Sequence, residues 1–170
     1  MHLAVRRTIQ VVSFGFVAVA LFLYLAGMHD GPIGIVPGGP LLQGEIESAR
    51  GKSWHFVKDI EEIELQLADP PRSRTVWVVV HGNELYVPCG FLNVPLWKQW
   101  PHDALRDPRA VARIDGKRYE FELQRVEDEV VAARVGGLVA HKYLGTESIE
   151  PVSQDPETTW IFRLEPLSHP

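Results

Sequence analysis

Apolar and polar residues alternate with a period of two along much of the chain. Ile63, Leu65 and Leu67 alternate with Glu64 and Gln66, the pattern of a half-buried strand, and Asp69-Pro70-Pro71 ends it. Thr75 to Val80 is apolar at both parities, which predicts a central strand covered on both faces. Gly82-Asn83 marks a tight turn before the return strand Glu84-Leu85-Tyr86-Val87. Ala110 to Ile114 predicts a further strand, Asp115-Gly116 a two-residue hairpin turn, and Lys117 to Val126 its return. In that return strand Tyr119, Phe121 and Leu123 share one face, and Arg118, Glu120, Glu122 and Gln124 the other. Thr158 to Leu164 predicts a last strand with Trp160, Phe162 and Leu164 together. Helix is sparse. Glu127-Asp128-Glu129 places acids where a helix N-terminus favours them, and Gly136-Gly137 predicts its end. Leu138 to Leu144 then predicts a second short helix stopped by Gly145. The sum is a mainly β fold, a small antiparallel barrel with short helices.

One segment breaks the alternation. The 22 residues between Arg7 and Asp30 hold no Asp, Glu, Lys or Arg. At about 1.5 Å per residue such a run spans roughly 30 Å as a helix, the thickness of a bilayer core. Residues 9–28 are therefore predicted as one N-terminal transmembrane helix, with the lipid bilayer as their partner. Arg6 and Arg7 precede the run and Asp30 follows it. The positive-inside rule places the N-terminus in the cytoplasm and the rest outside, periplasmic in a bacterium. Ala18-Val19-Ala20 also matches the small-x-small cleavage pattern of a secretory signal peptide. Cutting there would expose Leu21-Phe22-Leu23-Tyr24-Leu25 as a new N-terminus, so a single-pass anchor in the inner (plasma) membrane is the favoured reading. Residues 29–44 hold five Gly and three Pro, which predicts an extended linker. The expected organisation is an anchor over 1–28, a linker over 29–44 and a folded domain over 45–170.

Composition sharpens this partition. The 170 residues carry 17 Lys+Arg against 22 Asp+Glu, a net charge of -5. Only Arg6 and Arg7 fall in the first 28 residues, so the remainder is more acidic still, at -7. An acidic domain argues against nucleic acid as a partner. The single cysteine, Cys89, excludes an intramolecular disulfide framework and a multi-cysteine zinc site. The seven histidines are scattered, with no pair at metal-ligand spacing beside a carboxylate. There is no Gly-rich dinucleotide fingerprint, no P-loop and no activated-serine motif to join His102-Asp103.

The order of elements from Ile63 to Pro166 resembles the flavin-binding split β-barrels, the pyridoxamine-phosphate-oxidase-like superfamily, and within it the deazaflavin-dependent nitroreductase group. Arg74-Thr75, the apolar strand and His81-Gly82-Asn83-Glu84-Leu85-Tyr86-Val87 are similar to that superfamily's first hairpin. Pro95-Leu96-Trp97-Lys98, then Asp107-Pro108-Arg109, and finally Trp160 to Pro166 follow the group's order. The resemblance implies a split barrel, a bound flavin mononucleotide (FMN) or deazaflavin, oxidoreductase chemistry and a homodimer formed through the barrel. The group's Gly-Arg-Lys-Ser-Gly phosphate loop is replaced here by Ala68-Asp69-Pro70-Pro71-Arg72-Ser73-Arg74-Thr75, which lacks the glycines.

Candidate chemistry then concentrates in two places. Arg72, Ser73, Arg74 and Thr75 offer two guanidinium forks and two hydroxyls to a cofactor phosphate; the same four residues also make sense as a solvated basic turn among acids. Trp97 offers an aromatic face to a planar ring and Lys98 a cation to an anionic group, within an aromatic loop from Cys89 to Trp100 that equally suits a barrel plug. Tyr119 and Tyr143 are phenols within reach of a proton-donor role, with core packing the favoured role for Tyr119. Two functions stay open: a membrane-anchored oxidoreductase using FMN or a deazaflavin, and a non-catalytic envelope binding protein that keeps the fold with no cofactor. No catalytic residue and no metal ligand is assigned.

Overall fold

The computed structural model describes residues 2–90, 92 and 99–167, with the side chains of 2–5, 8 and 9 left aside. Its elements are α1 (His2–Ala26), a 3₁₀ turn (His55–Asp59), β1 (Glu62–Leu67), β2 (Ser73–Trp77), β3 (Val79–His81), β4 (Glu84–Cys89), α2 (Trp100–Arg106), β5 (Arg109–Ile114), β6 (Lys117–Arg125), α3 (Glu129–Leu144) and β7 (Trp160–Pro166). All strand pairs are antiparallel, in the order β2-β1-β5-β6-β7-β4-β3. The sheet curls into a half-barrel.

The hairpins follow their turn chemistry. Asp115 and Gly116 both take positive φ, 50° and 74°, so Ile114 faces Lys117 across a two-residue turn. Along β6 every second side chain enters the barrel, and Tyr119, Phe121 and Leu123 are at most 3% exposed. They join Leu65, Val87, Ala112 and Phe162 in one core. Trp54 closes one end of it, edge-on to Tyr119 at 5.1 Å, and Trp100 the other, 5.5 Å from Phe162.

The segment Thr75–Val80 is not a central strand. It breaks at Val78, and its two halves, β2 and β3, are the opposite ends of the strand order. The chain itself thus bridges the two ends of the sheet. Its double-sided apolarity has another cause. Val76, Val78 and Val80 point into the barrel core, while Val79 packs outward with Tyr86, Val135 and Ile161 beneath α3.

The break leaves the backbone of Val78 outside the ladder, and α3 supplies the missing partners. The Tyr143 hydroxyl accepts from the Val78 N–H at 2.9 Å and has the Val78 and Glu61 carbonyls in reach of its one hydrogen. Lys142 donates to the Val78 carbonyl at 2.9 Å. Burial pushes the Tyr143 phenol up to about 12, so it holds its proton. Tyr143→Phe strands a buried N–H and is expected to lower stability by about 1–3 kcal/mol in urea unfolding. An unchanged unfolding midpoint would mean that Val78 finds another partner.

The two short helices predicted after Glu127 are one. α3 starts at Asp128, whose carboxylate accepts from the Val130 and Val131 N–H groups, and ends at Gly145 with φ 69°. Gly136 and Gly137 lie in its middle because residues 150–154 cross there. A Cβ on Gly137 would sit 2.1 Å from the Glu150 carbonyl oxygen. These glycines serve close approach, not termination.

Residues 29–44 form no regular element beyond isolated bridges, yet they lie along the barrel wall. The Gly38 N–H donates to Ser73 O at 2.9 Å and Leu41 N–H to Gln66 Oε1 at 2.6 Å. Asp30 pairs with Arg113 at 2.8 Å, and Arg113 also bonds Glu64. Leu41 is 2% exposed. In α1 the opposite holds: Val11, Phe14, Phe16 and Leu25 are all more than half exposed. Among the described residues no helix is long and apolar enough to cross a membrane, so the transmembrane helix expected over 9–28 is not shown.

Candidate functional site

The Trp100 end of the barrel gathers the functional candidates. β2 brings Arg74 inward by strand alternation, on the same face as the core residue Val76. α2 starts with Trp100-Pro101, both buried, and lays the indole under the Arg74 guanidinium, 5.5 Å from ring centroid to carbon. β4 delivers the buried Cys89 and β7 delivers Trp160 opposite it. Arg125, at the end of β6, lies over the Trp160 ring at 4.1 Å, and His102 meets the same ring edge-on at 4.9 Å. The result is a cationic rim over an indole floor.

The electrostatics of Arg74 set it apart. Burial lowers its pKa to about 10, with Arg72 adding like-charge repulsion. Asp103 and Cys89 act the other way but do not restore the ordinary value. Asp103 spends its carboxylate on Arg106, one turn along α2. Arg74 Nε is buried with no hydrogen-bond partner. A charged guanidinium with a buried, unpartnered Nε has the chemistry to attract an anion.

The predicted cluster Arg72, Ser73, Arg74 and Thr75 does not converge on one ligand. Ser73 is fully buried facing the other way, and its hydroxyl donates to Gly39 O at 2.6 Å. Thr75 Oγ1 donates to Gly34 O at 2.9 Å. Both hydroxyls thus fasten the 29–44 segment. Arg72 is exposed and reaches over the C-terminal end of α1, where a Cβ on Gly27 would lie 2.8 Å from its Nη1; a cation there suits the helix dipole. Trp97 and Lys98 lie outside the described residues. Tyr119 is core, with its hydroxyl on Glu47 at 3.1 Å. Tyr143 is committed to Val78. Arg125 escaped the sequence reading, although position 125 continues the inward series 119, 121 and 123.

No family model matches this chain, and no curated protein does. Among solved structures it is similar to a Listeria innocua protein named as a pyridoxamine 5'-phosphate oxidase, at 16% identity and a TM-score of 0.49, over 66% of this chain and 88% of that one. It is also similar to a protein named as an F420 reductase, at 13% identity and a TM-score of 0.43, over 71% and 97%. At these identities neither activity nor site residues transfer.

Proposed function

We propose that this chain is a membrane-tethered, split-barrel protein whose barrel mouth binds a phosphorylated flavin-type cofactor, FMN or a deazaflavin. The observation that carries the reading is Arg74, a charged, half-buried guanidinium over Trp100 with an unpartnered Nε. The anionic end of such a cofactor fits Arg74, with Arg72 nearby. Ser73 and Thr75 do not contribute, because their hydroxyls are already donating. Bound there, the ring would supply hydride or electron transfer. The chain's own part is to bind the phosphate by charge, to support the ring on apolar and indole surface, and to keep water from it.

The exposed apolar side chains of α1 support the tether, since a helix surface of this kind is stable only against lipid or another apolar partner. The domain would sit outside the cytoplasm on a single-pass inner (plasma) membrane anchor. A second reading, a non-catalytic envelope binding protein, is favoured by the two spent hydroxyls, which leave the phosphate fewer donors than the resemblance implies.

A visible absorption spectrum of the full chain in lipid nanodiscs separates the readings. Flavin-like absorbance that co-purifies with the protein or is retained after loading with FMN or a deazaflavin supports the first reading. Protein that stays colourless after loading with both supports the second. Protease treatment of spheroplasts tests the tether: a C-terminal tag is expected to be digested from outside. Recovery of the full-length chain in the soluble fraction would overturn it.

A further inference from the structure

On the opposite side of the β2–β3 break from the barrel core, a cavity of about 600 Å³ opens between β3, α3 and the 3₁₀ turn. Its size falls in the range of small-molecule sites. Val79, Leu138 and Ile149 give it an apolar wall, and Lys58, His81 and His141 give it a polar side. We propose that this cavity is a second binding site, separate from the barrel mouth, for a small amphiphilic carboxylate: an alkyl chain ending in a single anionic group.

Charge is the first argument. Lys142 also lines the cavity, and its ammonium is held by three backbone carbonyls, those of Val57, Ile60 and Val78. These dipoles fill its donors but carry no formal charge. Burial lowers its pKa, and Asp59 and Glu61 offset this only in part. Lys58 adds an exposed ammonium at the rim. Among the described residues the lining thus holds two cations, Lys58 and Lys142, with Asp59 and Glu61 acting on Lys142 from outside it.

The kind of anion follows from the donors. His141 Nδ1 lies 2.7 Å from the Thr146 carbonyl, which only accepts, so Nδ1 carries the hydrogen and the ring orientation is set. Among the described residues the polar side thus offers the Lys58 ammonium and the His81 ring, with no guanidinium fork, while a neutral His141 presents only the accepting Nε2. That matches a monoanion; a phosphate monoester, near a charge of -2, calls for forked or multiple donors. The apolar wall accounts for the alkyl part.

Octanoate tests the proposal, with octanol as its uncharged counterpart and empty nanodiscs as the blank. Calorimetric titration of the full chain in nanodiscs is expected to show saturable octanoate binding, with octanol at least tenfold weaker. Ile149→Glu and Lys58→Glu, both at exposed positions, are each expected to weaken octanoate at least tenfold without moving the unfolding midpoint. In the unmodified protein octanoate is expected to slow amide hydrogen exchange over 79–82 and 138–142. The proposal is overturned by the absence of a saturable component, by equal binding of octanol, by indifference to both substitutions, or by exchange slowing confined to the barrel mouth.

Discussion

Replacing Arg74 with methionine is expected to weaken binding of a phosphate-bearing ligand roughly 10- to 100-fold, because one charge-assisted hydrogen-bonding group is worth about 1.5–3 kcal/mol. The same substitution is expected to leave the fold as stable as before or more so. The buried, unpartnered Nε costs about 1–3 kcal/mol, and stacking on Trp100 returns only about 0.5–1 kcal/mol. Methionine keeps the length of the apolar stem and removes the desolvated charge. The pH dependence has the matching sign. A guanidinium whose folded pKa is depressed to about 10 disfavours folding while it is charged, so the penalty is complete at neutral pH and fades only as pH rises through 10. Ligand titration and thermal unfolding of Arg74→Met check both halves. A clear loss of stability would make Arg74 a structural residue, and unchanged affinity would move the anion site elsewhere.

The largest structural effect is expected at Gly137. Valine there gains a few tenths of a kcal/mol of helix propensity over glycine. Its Cβ, however, would lie 2.1 Å from the Glu150 carbonyl oxygen and 2.9 Å from its carbon, both backbone atoms that cannot rotate aside. Residues 150–154 must lift away, breaking the bond from the Val152 N–H to Ala133 O at 2.9 Å. Overpacking of this kind costs about 3 kcal/mol, so the clash wins over propensity. At about 2–4 °C per kcal/mol, thermal unfolding should fall by roughly 6–12 °C. Gly136→Ala should cost less but not nothing: the Gln154 amide nitrogen at 2.1 Å can move aside, whereas the Val152 carbonyl oxygen at 2.6 Å is backbone. A gain in stability from Gly137→Val would mean that the 150–154 segment does not pack on α3.

Local pattern carried the hairpins and the core and failed where tertiary contact overrides it. Tyr119, Phe121 and Leu123 are buried as their alternation requires, and Asp115-Gly116 turns as its positive-φ preference requires. Thr75–Val80 misled because two different neighbours, the barrel core and α3, bury its two faces. Gly136-Gly137 misled because a terminator and a packing site use the same residue. At the site, Arg74 was legible as a basic residue on an apolar strand. The directions of Ser73 and Thr75 were not, because they depend on residues 34–39 lying against β2. Arg125 was legible by strand parity alone.

The most direct test of the central claim compares two ligands with one ring system. FMN and riboflavin differ by the phosphate that Arg74 is proposed to read. Equilibrium titration of the full chain in nanodiscs is expected to give FMN binding at least tenfold tighter than riboflavin, with the difference lost in Arg74→Met. Equal affinities for the two, or no binding of either, would contradict an Arg74-centred phosphate site at the mouth of the barrel.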